Sequence, residues 1–279
     1  MRQAAAGALV LALCLVAARA PIAQTASGEA ARRQAYDALL DVDVRDGLVY
    51  YRALKADRAK LDGYVASLAA VPVRTLPRDE QVSLWLNAYN AIVLQTVLNH
   101  YPIAQRVKTY PPHIIRQIPG AIERLTHRVG GQTVTLDQIE QTILPAFHDP
   151  RVYLALGRGS IGGGRLRSEA FAPDRLEAQL TSVASECVTR PQCWQVDAET
   201  NTVSVSSIFS WRDKDFIAAY AGAAAPAFAS RSLIERAVLA FVDPSLLTTE
   251  REFLGKNQFK VAFTPFDWNL NDLTGRGGR

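Results

Sequence analysis

Apolar residues recur along most of the chain with a helical period, and a few short alternating runs interrupt them. From Ala30 to Leu40 they suit one face of a helix, and VDVRDGLVYY reads as two strands around an Asp46-Gly47 turn. A helix from about Lys55 to Ala70 is followed by Pro72 and Pro77. The longest expected helix comes next, from about Asp79 as N-cap to His100, with Tyr101-Pro102 as its stop. The run RVGGQTVTLDQIEQTIL predicts a hairpin at Gly130-Gly131 and a helix opened by Thr135 and Gln138, which have capping-box spacing. Val152 to Leu156 predicts a buried strand, and Pro173 opens a helix to about Glu186. Beyond ECVTRPQC, NTVSVSSIF and QFKVAFTPF read as strands, with WRDKDFIAAYA and SRSLIERAVLAFV as helices between them. Helices outnumber the scattered strands. The expected fold is therefore α+β, a helix-rich single domain over residues 25–279 with a small, mostly antiparallel sheet. The terminal TGRGGR has nothing apolar to bury and is expected to be disordered from about residue 274.

The N-terminus breaks the pattern. One positive charge at Arg2, an apolar run from Ala4 to Ala18 and small residues with Pro21 describe a signal peptide of about residues 1–24, cleaved between Ala20 and Ala26. The run is short for a spanning helix, so an uncleaved anchor is the second reading. Cys14 falls within the removed segment. Loss of Arg2 and Arg19 lowers 31 basic residues to 29 against 27 acidic ones, so the charge falls from +4 to +2. A near-balanced chain without a basic run is not expected to bind nucleic acid, nor to insert in a membrane once the leader is gone. Export to the periplasm or beyond also decides Cys187 and Cys193, which are expected to form a local disulfide. Neither these cysteines nor His100, His113, His127 and His148 have metal-ligand spacing, so no metal or cofactor is expected.

Polar residues stand where an apolar face should be. LWLNAYNAIVLQTVLNHYP is apolar on nearly every side, so its helix should be buried, and Asn87 and Asn90 on one face of it need partners. They either pin a neighbouring loop's backbone, the favoured role, or line a pocket. Glu140 and Glu169 sit among apolar neighbours and need cations, for which Arg151, Arg158, Arg165 and Arg167 are nearest in sequence. Three of those arginines lie in the glycine-rich segment GRGSIGGGRLR, which suits either a bound anion or the protein's own carboxylates. Of the four, Arg158 is expected to reach a pocket and Arg151 to pair in the core. Gly157, Gly159 and Gly162 spell GxGxxG without the strand and helix of a dinucleotide site, and Ser160 lacks the first glycine of a nucleophile elbow. The closing TPFDWNLND gathers Asp267, Trp268, Asn269, Asn271 and Asp272, residues that fasten loops or line clefts.

LWLNAYNAIVLQTVLNHYP, VTLDQIEQTIL, DPRVYLAL, RLRSEAF, SSIFSWRDKDF and FDWNLND, taken in order from Tyr36 to Asp272, resemble the domain of unknown function 547 family. Asn87, Tyr89, Asn90, Glu140, Arg151, Glu169, Trp211, Asp215, Phe216, Asp267 and Trp268 match it. Members of that family commonly carry a His after the Ile-Glu pair, a His in the strand and two loop cysteines. Gln141, Tyr153, Arg158 and Gly163 stand in those places here, so the resemblance implies that no loop thiol acts as nucleophile or ligand in this chain.

No stretch holds a complete catalytic constellation, so the residues name a site without naming a reaction. The first reading is an exported binding module in which Arg158, Gly159, Ser160, Arg165 and Arg167, with Asn87, Asn90 and Glu140 nearby, hold a small anionic or carboxylate ligand. Arg151, Glu169, Trp211, Asp267 and Trp268 are then structural. The second is a structural or interaction domain of the envelope, its protein partner unnamed. The third is a hydrolase or transferase on an amide or ester, with Glu140 or His148 as base and the Gly159-Ser160 backbone as oxyanion hole.

Overall fold

The computed structural model describes residues 20–275, with side chains from residue 28 onward. Residues 1–19, which hold Cys14 and most of the expected signal peptide, and the final residues 276–279 lie outside the described residues. The expected cleavage region falls within the first helix, α1 (Ala20–Asp43). Around Asp46-Gly47 the chain makes the expected hairpin of β1 (Val44–Arg45) and β2 (Leu48–Val49). The helix expected over Lys55 to Ala70 is divided into α2 (Tyr51–Ala56) and α3 (Ala59–Ser67). Then comes α4 (Arg78–His100), whose Val82 to Leu94 stretch is buried on every side, as its lack of a polar face requires. Pro77, not Asp79, is its N-cap; Asp79 and Glu80 occupy its first turn, where a carboxylate favours the helix dipole.

Strands β3 (His127–Val129) and β4 (Gln132–Val134) pair across Gly130-Gly131. The capping box then opens α5 (Leu136–Gln138): Gln138 N–H donates to Thr135 Oγ1 at 3.1 Å, and Thr135 N–H to Gln138 Oε1 at 2.9 Å. This helix widens into π-type turns over Ile139–Ile143, a geometry that often marks a constrained site, and here it carries Glu140 inward.

The strand expected at Val152 to Leu156 does not form. Asp149 accepts the Arg151 N–H through Oδ1 at 3.1 Å behind Pro150, and this starts a helical turn, α6 (Arg151–Leu154). A short apolar run is buried equally well as a helical turn or a strand, and the Asp-Pro pair decides it locally. Helix α7 (Leu176–Val188) begins three residues after Pro173 and ends in the Cys187–Cys193 disulfide, which is present as expected.

Strands β5 (Trp194–Asp197) and β6 (Thr202–Ser206) are antiparallel, whereas β6 and β7 (Lys260–Thr264) are parallel. Helices α8 (Ser207–Trp211), α9 (Asp213–Tyr220), α10 (Leu233–Val242) and α11 (Thr248–Gly255) form the crossover that a parallel pair needs. The fold is thus the expected helix-rich α+β domain, with its strands divided among three small sheets. Thr274 N–H donates to Asp272 Oδ1 and Gly275 N–H to Asp272 O, both at 2.9 Å, which makes a turn at the end of the described residues.

Candidate functional site

The glycine-rich segment is shaped by close backbone packing. A Cβ on Gly164 would overlap the Leu154 carbonyl oxygen, one on Gly163 that of Gly157, and one on Gly162 the Asp267 backbone. The glycines therefore let the segment fold on itself and on the terminal FDWNLND run. Gly164 N–H donates to Leu156 O at 2.8 Å, Gly162 N–H to Asp267 O at 2.8 Å, and Ile161 N–H to Asn269 O at 2.9 Å. Asn87 and Asn90 take the backbone-pinning role. Asn87 bonds both ways with the Phe171 main chain at 2.9 Å, while Asn90 donates to Ala155 O at 3.1 Å and accepts from Gly157 N–H at 2.9 Å. Neither amide lines the recess, the groove or the cavity described below.

Arg158 and Gly159 have left-handed φ values of 51° and 61°, and the turn they make sends Arg158 into the interior. Its guanidinium grips Glu140 with two bonds, Nη2 to Oε1 at 2.7 Å and Nε to Oε2 at 3.2 Å, while Nη1 donates to Tyr153 O and Leu156 O. Arg212 approaches the same carboxylate at 3.4 Å, donates to Glu140 O at 2.8 Å and lies over the Tyr153 ring at 4.4 Å. Tyr89 donates to Glu140 Oε2 at 3.1 Å. Burial alone would push the Glu140 carboxyl up. The charge and hydrogen bonds of Arg158, then Arg212 and Tyr89, outweigh it and hold the group below the usual carboxylate range. The expectation that Arg158 faces a pocket and Arg151 the core is reversed. Arg158 is 3% exposed, whereas Arg151 bonds Asp149 and the exposed Glu177 near the surface. Sequence distance hid the difference, because the Asp149 that holds Arg151 is its near neighbour and Glu140 lies on another element.

The outer arginines are also tied to carboxylates. Arg165 pairs with Asp46 at 2.8 Å and Glu186 at 3.4 Å, and Arg167 with Glu169 at 2.8 Å and Glu186 at 2.9 Å. Glu169, half-buried rather than interior, also meets Arg175. Arg190 completes the cluster and was not foreseen. It donates to Ile161 O at 3.3 Å and Gly163 O at 3.4 Å, and of Arg158, Arg165, Arg167 and Arg190 it alone has no carboxylate of the described residues within 4 Å. Burial and then the neighbouring Arg165 pull its pKa down. Only its place beside the disulfide, three residues from either cysteine, offered any sequence signal.

Arg165, Arg190 and the carboxylate Glu186, which pairs with Arg165 and Arg167, border a recess of about 10 Å³ together with Gly162, Gly163 and Gly164. A groove of about 220 Å³ shares Gly162, Gln192 and Ser206 with that recess and is lined further by Ser207, Phe266 and Asp267. At its side Trp211, 45% exposed, packs on Phe266 at 4.9 Å and stacks with Trp268 at 6.2 Å. Trp211 is thus a surface ring. Within the terminal segment Asn269 N–H donates to Asp267 Oδ1 at 2.9 Å, and Arg116 lies 4.1 Å over the Trp268 indole.

The hydrolase constellation is not assembled. Ser160 Oγ is buried without a partner, and Ser160 N–H is spent on Gly157 O, so it cannot serve an oxyanion. Glu140 is locked in its arginine pair. His148 lines a separate cavity of about 140 Å³ with Asp149, Tyr153 and Asp215, where Tyr153 donates to Asp215 at 2.8 Å. Among the described residues no group of three or more His, Cys, Asp or Glu is placed to hold a metal, and no helix is long and apolar enough to cross a membrane.

Residues 73–188 match the family described as "Protein of unknown function, DUF547". The match covers the segment from the approach to α4 through α7, narrower than the Tyr36 to Asp272 span of the resemblance. No curated protein and no solved structure matches the chain.

Proposed function

Because this chain belongs to the DUF547 family of proteins of unknown function, we propose its role from the geometry of its own site: a binding module that holds a small carboxylate or other anionic group at Arg190, with Arg165 beside it. One observation carries the reading. Among the described residues, Arg190 is a partly buried guanidinium whose only hydrogen bonds are long ones to carbonyls, with no carboxylate within 4 Å. A charge taken partly out of water is favourable when an opposite charge meets it, and a carboxylate fits the guanidinium fork. The recess admits about one water-sized atom, which suits one carboxylate oxygen while the rest of the ligand lies in the adjoining groove. The disulfide and the apolar leader support an exported setting for this role. Arg158, Arg165 and Arg167, all paired, support the second reading for those three residues, a structural network.

Calorimetric titration of acetate and of inorganic phosphate into the wild type and Arg190→Gln tests the proposal. Glutamine can still donate to the two carbonyls, so the variant should keep its unfolding free energy within about 1 kcal/mol while its anion affinity falls at least about tenfold. Equal affinity in the two proteins, or no binding by the wild type, would sink it.

A further inference from the structure

We infer that the ligand is a small zwitterion, its carboxylate at Arg190 and a cationic alkylammonium end against Trp211, Phe266 and Asp267. The inference rests on the carboxylate reading above and names the other half of the ligand. Its basis is the continuity of two dissimilar surfaces. Arg190 donates to the carbonyls on both sides of Gly162, and Gly162 itself is bonded to Asp267 O, so the positive and negative ends of the groove meet within one residue.

Charge separates along the groove. Asp267 is the only ionisable residue lining the 220 Å³ part, and no lysine or arginine lies within 4 Å of its carboxylate among the described residues. Its Oδ1 accepts the Asn269 N–H, which orients the group and leaves Oδ2 available. Beside it stand three aromatic rings: Phe266 in the lining, Trp211 packed on it, and Trp268 at 4.4 Å from Phe266. An electron-rich ring face with a nearby carboxylate attracts an organic cation, most of all a weakly hydrated alkylammonium. This cluster already hosts one cation in the fold, since Arg116 lies over Trp268 at 4.1 Å. The exposed Trp211 offers the same chemistry to a ligand. The groove is smaller than the sites of drug-sized ligands, and so a free small molecule is the occupant.

Three probes of one length separate the parts: a trimethylammonium butanoate, its tert-butyl carboxylate isostere, and butyltrimethylammonium without a carboxylate. Each is titrated into the wild type, Arg190→Gln, Trp211→Ala and Asp267→Asn. Asparagine can keep the Asn269 bond, and Trp211 is a surface ring, so neither change removes core packing. The zwitterion should bind the wild type about tenfold more tightly than either single-ended probe. Trp211→Ala and Asp267→Asn should lower zwitterion affinity to that of the tert-butyl carboxylate, whose own affinity stays unchanged. Arg190→Gln should remove both carboxylate probes. If the tert-butyl carboxylate binds the wild type as tightly as the zwitterion, the inference fails and the carboxylate reading stands. If neither carboxylate binds, both fail.

Discussion

Arg158→Ala should lower the unfolding free energy by about 3 kcal/mol, because it leaves Glu140 ionised in the interior with only the more distant Arg212 and the Tyr89 hydroxyl to meet it. Arg151→Ala should cost less, about 1 kcal/mol, since Glu177 is exposed to water and Asp149 keeps the bond it accepts from the backbone N–H of residue 151. Replacing Arg158 and Glu140 together by leucine removes both charges, and the double variant should lose less than Arg158→Ala. Urea unfolding of the four proteins measures this, and a larger loss at Arg151 than at Arg158 would refute the burial argument. The pair also sets an acid limb. Its carboxyl is held below the ordinary value in the folded state, so its contribution is fully present above the unfolded pKa of about 4.3 and is lost as pH falls through the depressed folded one. Repeating the unfolding series as the pH is lowered should show a shallower acid loss in Glu140→Gln. An unchanged slope would mean that Glu140 is not ionised in the fold.

Gly164→Ala should be the most damaging single methyl group in the loop. The added Cβ would overlap the Leu154 carbonyl oxygen, and backbone, unlike a flexible side chain, cannot swing aside. Relief would require parting the Gly164 N–H bond to Leu156 O and the α6 turn behind it, at a cost of about 3 kcal/mol or more. Gly131→Ala supplies the contrast: it adds a Cβ in open space, so its cost is that of a side chain at φ 75° alone. Thermal unfolding compares them, and equal losses would show that conformation rather than close packing fixes the glycines.

How much of this was legible in the chain varies with how local the cause is. The all-apolar face of α4, the Thr135–Gln138 box and the Cys187–Cys193 bridge are decided by neighbouring residues, and each forms as its spacing predicts. The Asn87 and Asn90 amides were recognisable as needing partners, although not that those partners would be Phe171, Ala155 and Gly157. What stayed hidden depends on pairs far apart in sequence. Glu140 selects Arg158 and Arg212 only once the π-type turns and the left-handed loop bring them together, and sequence proximity pointed to the wrong arginine for the core. The helical turn at Arg151–Leu154 was misread because a run of apolar residues has no period short enough to distinguish it from a strand. Arg190 was hidden by its neighbours, since nothing in ECVTRPQC tells that its side chain crosses to the glycine loop.

Arg158 is sealed in the core, whereas the proposed binding role requires Arg190 to be open to a ligand. Labelling the folded protein with an arginine-selective dicarbonyl reagent, followed by peptide mass mapping with and without butyrate, measures that difference directly. Arg158 should remain unmodified until the protein is unfolded, while Arg190 is labelled in the native state and its labelling is slowed by butyrate. Modification of Arg158 in the native protein, or an Arg190 rate indifferent to butyrate, would contradict the account.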